Sequence, residues 1–345
     1  MQEIQTNDRS ITKEAVTSFD TCIQCRGCEP ACPSGVPYGS LIEQVRKTLV
    51  EERHILPRWQ QIPFHILTRP RLLRFFTRLL VVANKLHLIP KQFAFPKNIP
   101  LRNKPLRRSG NDVYLFTGCV MDAWQRETHR SAKRVLERLG FGVIPTGDRI
   151  PCCGALHNHA GLVQSATEIS ETVIQSLSDD ELPILVDSAG CGAALKEYGH
   201  LVGTNEAKQF SSRVFDIHEW VAEHLEALPV SQKLPITVVV QDPCHLRHVQ
   251  RAHEAVRSVL EPFVDTLVDL KDDGLCCGAG GAFSLFQPAL ASKARERKVA
   301  EINAQRYDIV ASANPGCLLY LQQAGIKIQH PMEIVDKALT ANSDV

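Results

Sequence analysis

The 345-residue sequence lacks the features that would place a protein inside a membrane or on nucleic acid. Nowhere do about 18 uncharged apolar residues follow one another, as a membrane-spanning helix requires. The N-terminal stretch MQEIQTNDRSITKEAV has neither the basic start nor the apolar middle of a secretory signal, so we expect a cytoplasmic protein. The formal net charge is only +1, which gives no overall field that would attract nucleic acid.

A dinucleotide-binding motif is also missing. A flavin or nicotinamide site typically has G-x-G-x-x-G between a strand and a helix, with an acidic residue about twenty positions later. The most similar stretch, GAGG at residues 278–281, follows two cysteines rather than a strand. We therefore expect no hydride-transferring cofactor on this chain.

What is present is an ordinary globular composition with many cysteines. Hydrophobic residues make up 44% of the chain and charged residues 22%, and the length suggests two or three domains. Because the cytoplasm keeps thiols reduced, the twelve cysteines are better candidates for metal ligation or catalysis than for disulfides.

Four of these cysteines crowd together near the N-terminus. Cys22, Cys25, Cys28 and Cys32, followed by Pro33, match the C-x2-C-x2-C-x3-C-P pattern of bacterial ferredoxins. Zinc ribbons instead use two C-x2-C pairs that lie far apart. We therefore predict that these four cysteines hold a 4Fe–4S cluster in a small, mainly helical, ferredoxin-like module over residues 1–56.

The number of clusters in this module stays open, because a two-cluster ferredoxin needs two such runs and the sequence has one. Three alternatives remain: Cys32 completes a single cluster, another chain supplies ligands, or the sequence starts downstream of a first motif. We favour the last alternative, because the run begins so soon after Met1.

The other eight cysteines form two quartets in the same order, displaced by 124 to 126 positions. The first quartet is Cys119, Cys152, Cys153 and Cys191, and the second quartet is Cys244, Cys276, Cys277 and Cys317. Such a constant offset indicates duplication. Alternating strand-like and helix-like stretches predict an α/β fold with two cysteine-rich units of parallel strands, at residues 111–232 and 233–345.

The cysteines of both units should lie where strands end and helices begin, because ligand sites of parallel sheets gather there. Gly118, Gly190 and Gly316 each precede a cysteine, and we expect them to allow a tight turn or a close approach of the backbone to a ligand.

The spacing of each quartet resembles that of the CCG cysteine-rich domain, which occurs in duplicate in heterodisulfide reductase and in the iron–sulfur subunits of glycolate oxidase and anaerobic glycerol-3-phosphate dehydrogenase. Over residues of about 15 to 335 the chain is most similar to the glycolate oxidase iron–sulfur subunit family. The stretches that carry this resemblance are CIQCRGCEPACPSGVPYG, FTGCVMD, CCGALHNHAG, QDPCHLRH, LCCGAGG and NPGCLL.

The resemblance implies an iron–sulfur subunit that relays electrons in a flavin-dependent dehydrogenase of glycolate or a similar 2-hydroxy acid such as lactate. The substrate would be oxidised on another chain. The implied partners are flavin-containing dehydrogenase subunits and a quinone or other electron acceptor, and a peripheral contact at the inner face of the cell membrane is an open alternative.

Each family unit ends in C-x-x-C, but here Ala194 and Tyr320 stand in place of the last cysteine. In the reductase this cysteine helps to hold clusters that cleave a disulfide, so its loss argues against a heterodisulfide-reductase-like activity. The four remaining thiolates of each unit suit a 4Fe–4S cluster or zinc. If they hold zinc, the units become a docking scaffold for the flavin subunits.

Polar residues accompany the cysteines. We interpret four histidines as hydrogen-bond partners of sulfur or backbone rather than as iron ligands. These are His157, His159, His245 and His248. We interpret Arg247 and Arg251 as exposed helix residues, and Asp187 and Asp242 as helix caps rather than ligands.

Residues 57–110, between the two cysteine-containing regions, are rich in proline and contain no cysteine, so we predict a connector. Within it, residues 69–82 interleave arginines with large apolar side chains, which predicts an amphipathic basic helix. Such a helix lies on a membrane or a partner subunit, or it packs on its own chain with the arginines in water. We favour the packed helix.

Overall fold

The computed structural model describes residues 11–52, 54–86, 88, 99, 104–150, 152–229, 232–272 and 274–341. In this part of the chain, helices precede the first strand. They are α1 (Lys13–Asp20), α2 (Cys28–Ala31), α3 (Tyr38–Glu51), α4 (Arg58–Leu67) and α5 (Pro70–Lys85). Apolar residues three or four positions apart give α3 a buried face, on which Ile42, Val45 and Leu49 are fully buried.

The first cysteine-rich unit contains a four-stranded parallel sheet in the order β2-β1-β3-β4. The strands are β1 (Val113–Phe116), β2 (Val143–Pro145), β3 (Ile184–Val186) and β4 (Val214–Asp216). The helices are α6 (Val120–Trp124), α7 (Arg126–Arg138), α8 (Ala155–His159), α9 (Val163–Ser176), α10 (Ala189–Lys196), α11 (Tyr198–Val202), α12 (Asn205–Ser212) and α13 (Ile217–Glu223). The central strands are continuously apolar, as strands covered on both faces require.

The second unit has an equivalent parallel sheet in the order β6-β5-β7-β8. Its strands are β5 (Leu234–Val240), β6 (Val264–Asp269), β7 (Ile309–Ala311) and β8 (Ile328–Gln329). A π-helix (His245–Gln250) and the helices α14 (His253–Leu260), α15 (Phe283–Phe286), α16 (Pro288–Asn303), α17 (Pro315–Gln322) and α18 (Pro331–Ala341) complete it. The matching strand orders confirm the predicted duplicated α/β fold.

One apolar core joins the two units. It contains Val135 and Leu136 of α7 together with Val335 and Leu339 of α18, all of them buried. At its rim Arg134 forms an ion pair with Asp336, with 2.6 Å between Nη2 and Oδ2. The two units therefore bury apolar faces against each other, in addition to the separate apolar core that each unit has.

The N-terminal helices pack on both units. The buried guanidinium of Arg46 on α3 donates to the carbonyl of His159 at 2.8 Å, and Arg26 pairs with Glu197 of the first unit at 2.6 Å. Gln287 of the second unit donates to the carboxylate of Asp20 at 2.6 Å. These contacts fix the cysteine loop that precedes α2 against the rest of the molecule.

Helix α5 packs on the first unit through one face. Leu73, Thr77 and Val81 are buried there, and the Trp124 indole donates to the Thr77 hydroxyl at 3.0 Å. The predicted packing on the chain is thus found for one face of the helix, whereas the opposite face exposes large apolar side chains. Within the described ranges, no helix combines the length and apolar character needed to cross a bilayer.

Candidate metal centres

The first quartet gathers at the carboxyl end of its sheet. Cys119 lies at the start of α6, Cys152 and Cys153 precede α8, and Cys191 lies in the first turn of α10. The Sγ atoms of Cys153 and Cys191 are 3.2 Å apart, and the thiols of Cys119, Cys152 and Cys153 interact in turn. Segments more than 30 residues apart therefore bring four sulfurs into one group.

The second quartet repeats this arrangement. Cys244 starts the π-helix, Cys276 and Cys277 lie in the loop after β6, and Cys317 lies in the first turn of α17. The Sγ atoms of Cys277 and Cys317 are 3.0 Å apart, and Cys244, Cys276 and Cys277 interact in sequence. The structure therefore brings together both predicted sets of four.

Burial and mutual contact oppose ionisation of most of these thiols. The neighbouring Cys152 thiol, together with burial, raises the pKa of Cys119 well above its ordinary value. Contacts with Cys152 and Cys191, followed by burial, do the same to the pKa of Cys153. Thiolates packed in this way repel one another, so they need a bound cation to hold them deprotonated at neutral pH.

The glycine of each Cys-Cys-Gly stretch has a specific backbone role. Gly154 and Gly278 have φ angles of +75° and +89°, in the left-handed region that favours glycine. A Cβ atom on Gly278 would overlap the carbonyl oxygen of Ala291 in α16. A Cβ atom on Gly154 would lie 3.3 Å from the carbonyl oxygen of Ala166 in α9. The turn that presents the paired cysteines therefore requires glycine.

The other predicted glycine turns are only partly found. Gly118 has a φ of +63°, and a Cβ there would lie 3.6 Å from the Cys191 sulfur. Gly190 and Gly316 instead lie in the first turns of α10 and α17, so the expectation of a tight turn at these two positions is wrong. The strands end earlier than predicted, and the last cysteine of each quartet belongs to the following helix.

The N-terminal cysteine loop has an unusual backbone. Gln24 and Arg26, on either side of Cys25, have φ angles of +55° and +59°, a strained conformation for non-glycine residues that is typical of functional sites. The Gln24 N–H points to the Cys22 sulfur at 3.4 Å. The loop thus wraps backbone N–H groups around its cysteines.

Cys32 is set apart from the other three cysteines of this loop. Burial, followed by the Cys25 thiolate, raises the pKa of Cys28, and Cys22 also contributes, so these three lie together. By contrast, the backbone N–H groups of Val36, Ser34 and Gly35 lower the pKa of Cys32, and no other cysteine contributes. Backbone N–H groups, rather than neighbouring thiols, therefore determine the direction of the Cys32 shift.

Two residues that sequence reasoning missed support this loop. Burial, together with a hydrogen bond to Cys22, raises the pKa of Tyr38 to about 12. Arg46 donates to the carbonyl groups of Phe19 and Cys22. Tyr38 belongs to the motif CPSGVPYG, which could have pointed to it, whereas Arg46 has no local signature.

The N-terminal loop lies directly against the second quartet. Burial is the main cause that raises the pKa of Cys25, and the nearby Cys244 thiolate contributes. A Cβ on Gly27 would lie 3.3 Å from the Nε2 atom of His248, so the loop rests on the π-helix. The ring centres of His159 and His245 are 5.2 Å apart, so α8 of the first unit also contacts the π-helix that follows Cys244.

Asn314 connects the two quartets. Its side-chain oxygen accepts a hydrogen bond from the Gly190 N–H at 3.1 Å, one residue before Cys191. Its side-chain nitrogen lies 3.5 Å from the Cys317 sulfur, to which it donates. One side chain therefore touches the helix turn of the first quartet and a sulfur of the second.

The histidines differ in their contacts. His157 hydrogen-bonds to Cys152, and the Nδ1 atom of His245 lies 3.4 Å from the Cys244 sulfur, which agrees with the predicted role as partners of sulfur. His159 contacts the His245 ring, and His248 lies beside Gly27.

The interpretation of the two aspartates as caps is wrong. Asp187 pairs with His129 at 2.6 Å, and both are fully buried. Asp242 accepts from Arg247 at 2.9 Å and from Arg257 at 3.0 Å. Buried carboxylates need charged or hydrogen-bonding partners more than an exposed cap does, and these cations supply them. Arg247 is accordingly an ion-pair partner rather than only an exposed helix residue.

The donor set fits an iron–sulfur cluster in each of the three places. All twelve cysteines are free thiols. Each buried quartet offers four sulfurs with no competing carboxylate, and the N-terminal loop offers three sulfurs surrounded by backbone N–H groups, which suits the ligand chemistry of such clusters. Across the described residues, no three His, Cys, Asp or Glu side chains are arranged around the position of a single ion.

Comparison with known proteins agrees with this arrangement of cysteines. The CCG cysteine-rich domain family matches residues 113–196 and 238–322. The chain is 30% identical over 350 residues to the glycolate oxidase iron–sulfur subunit of Escherichia coli (strain K12), covering 95% of this chain and 84% of that protein. The chain belongs to the glycolate oxidase iron–sulfur subunit family.

Further relatives support the same membership. The chain is 27% identical over 342 residues to the probable glycolate oxidase iron–sulfur subunit of Bacillus subtilis (strain 168), covering 88% of this chain and 77% of that protein. It is 26% identical over 238 residues to lactate utilization protein A of Geobacillus kaustophilus (strain HTA426), covering 67% of this chain and 98% of that protein. The resemblance noted in the sequence is thereby confirmed.

Other side chains fill the positions at which the CCG pattern has its last cysteine. Ala194 packs at the edge of the apolar core of the first unit. Tyr320 packs against the core of the second unit, and the Arg295 guanidinium lies 4.3 Å from its ring centre. Neither position has the thiol that the family pattern places there.

Proposed function

We propose that this chain is the electron-transfer subunit of a flavin-dependent 2-hydroxy-acid dehydrogenase, acting on glycolate or lactate, and that substrate oxidation takes place on a partner flavin subunit. The observation that carries the proposal is the adjacency of the three cysteine groups: Gly27 in the N-terminal loop packs against His248, four residues after Cys244, and Asn314 joins the second quartet to the first. An electron relay requires such a series of neighbouring centres.

The proposed ligands are the sulfurs identified above. Cys22, Cys25 and Cys28 would hold a 4Fe–4S cluster, Cys32 would serve another cluster, and each quartet would hold a cluster of its own. A bound iron–sulfur cluster takes up and releases one electron at a time. Burial and hydrogen bonds to sulfur would set the potential of each centre, and His157, His245 and Asn314 supply such bonds.

A quinone is the proposed electron acceptor, with a peripheral contact at the inner face of the cell membrane. A cavity of about 470 Å³ beside the N-terminal loop supports this part of the proposal, because Ile23 and Gln24 line it between two of the loop cysteines. Phe283 and Phe286 give it an apolar wall, polar side chains such as Asp20 and Arg46 line the rest, and the buried Nε2 atom of Gln24 has no hydrogen-bond partner. A pocket that combines an apolar wall with polar groups suits an acceptor that has both an apolar ring and polar oxygens.

The first experiment is analysis of iron, sulfide and zinc in the anaerobically purified protein, with EPR spectra after reduction by dithionite. Three variants are compared with the native chain: Cys25→Ala with Cys28→Ala, Cys153→Ala with Cys191→Ala, and Cys32→Ala as the matched control. We expect the native chain to contain well above the roughly four iron atoms of one cluster. Each double variant should lose one set of signals and keep the others.

One outcome would overturn the relay, and another would correct the assignment of Cys32. If the quartets contain zinc and the EPR signal disappears in the Cys25→Ala, Cys28→Ala variant, the cysteine-rich units are scaffolds that dock the flavin subunits. If Cys32→Ala removes the same signal as this double variant, Cys32 completes the first cluster, and its assignment to another cluster is wrong.

A further inference from the structure

Residues 54–111 have a charge composition unlike the rest of the chain. They contain twelve lysines and arginines and no aspartate or glutamate. Since the whole chain has a formal charge of +1, the remaining residues together carry −11. An almost neutral protein is thus strongly polarised, with its positive charge in the segment that contains α4 and α5.

The exposed side of this segment is apolar as well as basic. At about 100° per residue, Leu72, Phe75, Phe76, Leu79 and Val82 fall within one arc of roughly 120° on α5. All are exposed, and Phe75 and Leu79 expose 53% and 50% of their surface. Arg71, Arg74, Arg78 and Lys85 lie along one edge of this arc. The neighbouring helix α4 adds Trp59, 68% exposed, and Ile62.

Packing on the chain itself does not account for this face. The buried stripe of Leu73, Thr77 and Val81 lies on the other side of α5 and anchors the helix to Trp124. Single exposed apolar residues are ordinary on protein surfaces, whereas a contiguous patch marks an interaction site. The contact with the first unit holds the patch in a fixed orientation, facing outward.

We propose that the outer faces of α4 and α5 form a docking surface for an anionic lipid bilayer. Phenylalanine, leucine and tryptophan would enter the interfacial region, and the basic edge would face acidic headgroups. A protein partner presents charges of both signs at particular places, so its docking surface need not exclude carboxylates. An anionic lipid sheet repels every carboxylate, which agrees with their complete absence over residues 54–111.

This surface gives the proposed acceptor site its access route. Pro57 and Gln60, at the start of α4, line the cavity that also contains Ile23 and Gln24. Docking through α4 and α5 would turn that side of the molecule towards the bilayer, from which a lipid-soluble acceptor would enter. The access route and the lipid contact both rest on the peripheral membrane contact of the proposed function, whereas the electron relay does not depend on either.

The test is co-sedimentation of the holoprotein with vesicles, in the absence of any electron donor. Vesicles of phosphatidylcholine mixed with phosphatidylglycerol are compared with vesicles of phosphatidylcholine alone. We expect binding to the mixed vesicles at least about tenfold tighter than to the neutral ones, and weaker binding at high salt. The Phe75→Ser, Leu79→Ser variant should bind the mixed vesicles at least about tenfold more weakly, because two large apolar side chains no longer enter the interface.

The matched control is Leu285→Ser, which removes an apolar side chain of 62% exposure outside α4 and α5 and should weaken binding far less than the double variant does. Arg71→Gln with Lys85→Gln should weaken binding to the mixed vesicles several-fold and reduce its salt dependence. Iron content, EPR spectra and thermal unfolding should match those of the native chain in all variants, which separates loss of docking from loss of clusters or fold.

Failure of the native chain to bind the mixed vesicles would overturn the lipid proposal. If the Phe75→Ser, Leu79→Ser variant also lost its complex with the flavin subunit, the face would be a protein interface instead. Equal losses of vesicle binding in Leu285→Ser and in the double variant would contradict the proposed location. None of these outcomes depends on electron transfer, so the relay is judged separately by its own experiment.

Discussion

The two cysteine-rich units have the same strand order and the same contacts between thiols, but different polar groups lie behind their cysteines. Immediately after β3, Asp187 pairs with His129, and both are fully buried. At the equivalent position after β7, the Ser312 hydroxyl donates to the Gln241 side chain at 2.7 Å. After the duplication, one copy therefore has a charged pair where the other has a neutral one.

This difference indicates that the sulfur positions and their surroundings serve separate purposes. Equivalent backbone turns place the two quartets, so the sulfurs coincide between copies. The polar groups behind them determine the local field, which is one of the factors that set a cluster potential. Two centres in one relay need distinct potentials, and unequal surroundings on a common scaffold provide them.

The largest expected difference between the units concerns the buried pair. Asp187→Ala should lower the free energy of unfolding by about 3–5 kcal/mol, because it leaves His129 buried without its counter-charge. Ser312→Ala should lower it by only about 1 kcal/mol, the contribution of one neutral hydrogen bond. Urea unfolding of the two variants, followed by circular dichroism, measures both values. Equal losses would mean that the charged pair confers no asymmetry.

The same pair predicts a pH dependence. Burial alone would lower the pKa of His129, but the adjacent Asp187 carboxylate outweighs it, so the pKa is raised. The folded state then binds the proton more tightly than the unfolded one, so the stabilisation is fully present below about pH 6.5 and is lost as the pH rises through the folded-state pKa. Asp187→Ala should flatten this part of the stability profile, whereas Ser312→Ala should leave it unchanged.

A smaller difference is expected at the Cys-Cys-Gly turns. Gly278→Ala should cost about 2–5 kcal/mol of folding free energy, since left-handed strain adds to overlap with the Ala291 carbonyl. Gly154→Ala should cost about 1–2 kcal/mol, because its Cβ would lie 3.3 Å from the Ala166 carbonyl and leave mainly the strain. Thermal unfolding by calorimetry ranks the two variants. A larger loss for Gly154→Ala would contradict the packing described for α9 and α16.

The smallest expected effect tests the connection between the quartets. Asn314→Leu removes the donor to the Cys317 sulfur, so a cluster on the second quartet should shift to a lower potential by about 20–60 mV, the equivalent of one hydrogen bond for a one-electron couple. EPR-monitored redox titration measures the shift. The signal assigned to the first quartet is the internal control, because Asn314 touches no sulfur there, and equal shifts of both signals would contradict a local effect.

Sequence reasoning identified the features that depend on local pattern. Cysteine spacing gave the two quartets, and alternating strands and helices gave the duplicated parallel sheets that the structure confirms. Contacts between distant segments have no such signature. Gly27 packs against His248, and Arg46 donates a hydrogen bond to the carbonyl of His159. Both contacts depend on the tertiary packing of helices and loops that are far apart in sequence.

The aspartates show why short-range rules fail inside a core. Asp187 directly precedes the helix-starting residue Ser188, which suggests a cap, but its carboxylate is fully buried. In that setting the nearest cation determines its orientation, and His129 lies 58 positions earlier in the chain.

The shared core has a consequence for how the protein is made. Thr128 on α7 donates to Glu333 on α18, 205 positions later. At about 5–20 residues per second, a ribosome needs roughly 10–40 s to synthesise the intervening chain. During that interval the nascent first unit lacks the helix that packs against α7 in the shared core. We therefore expect iron to reach the first quartet after the second unit has been translated.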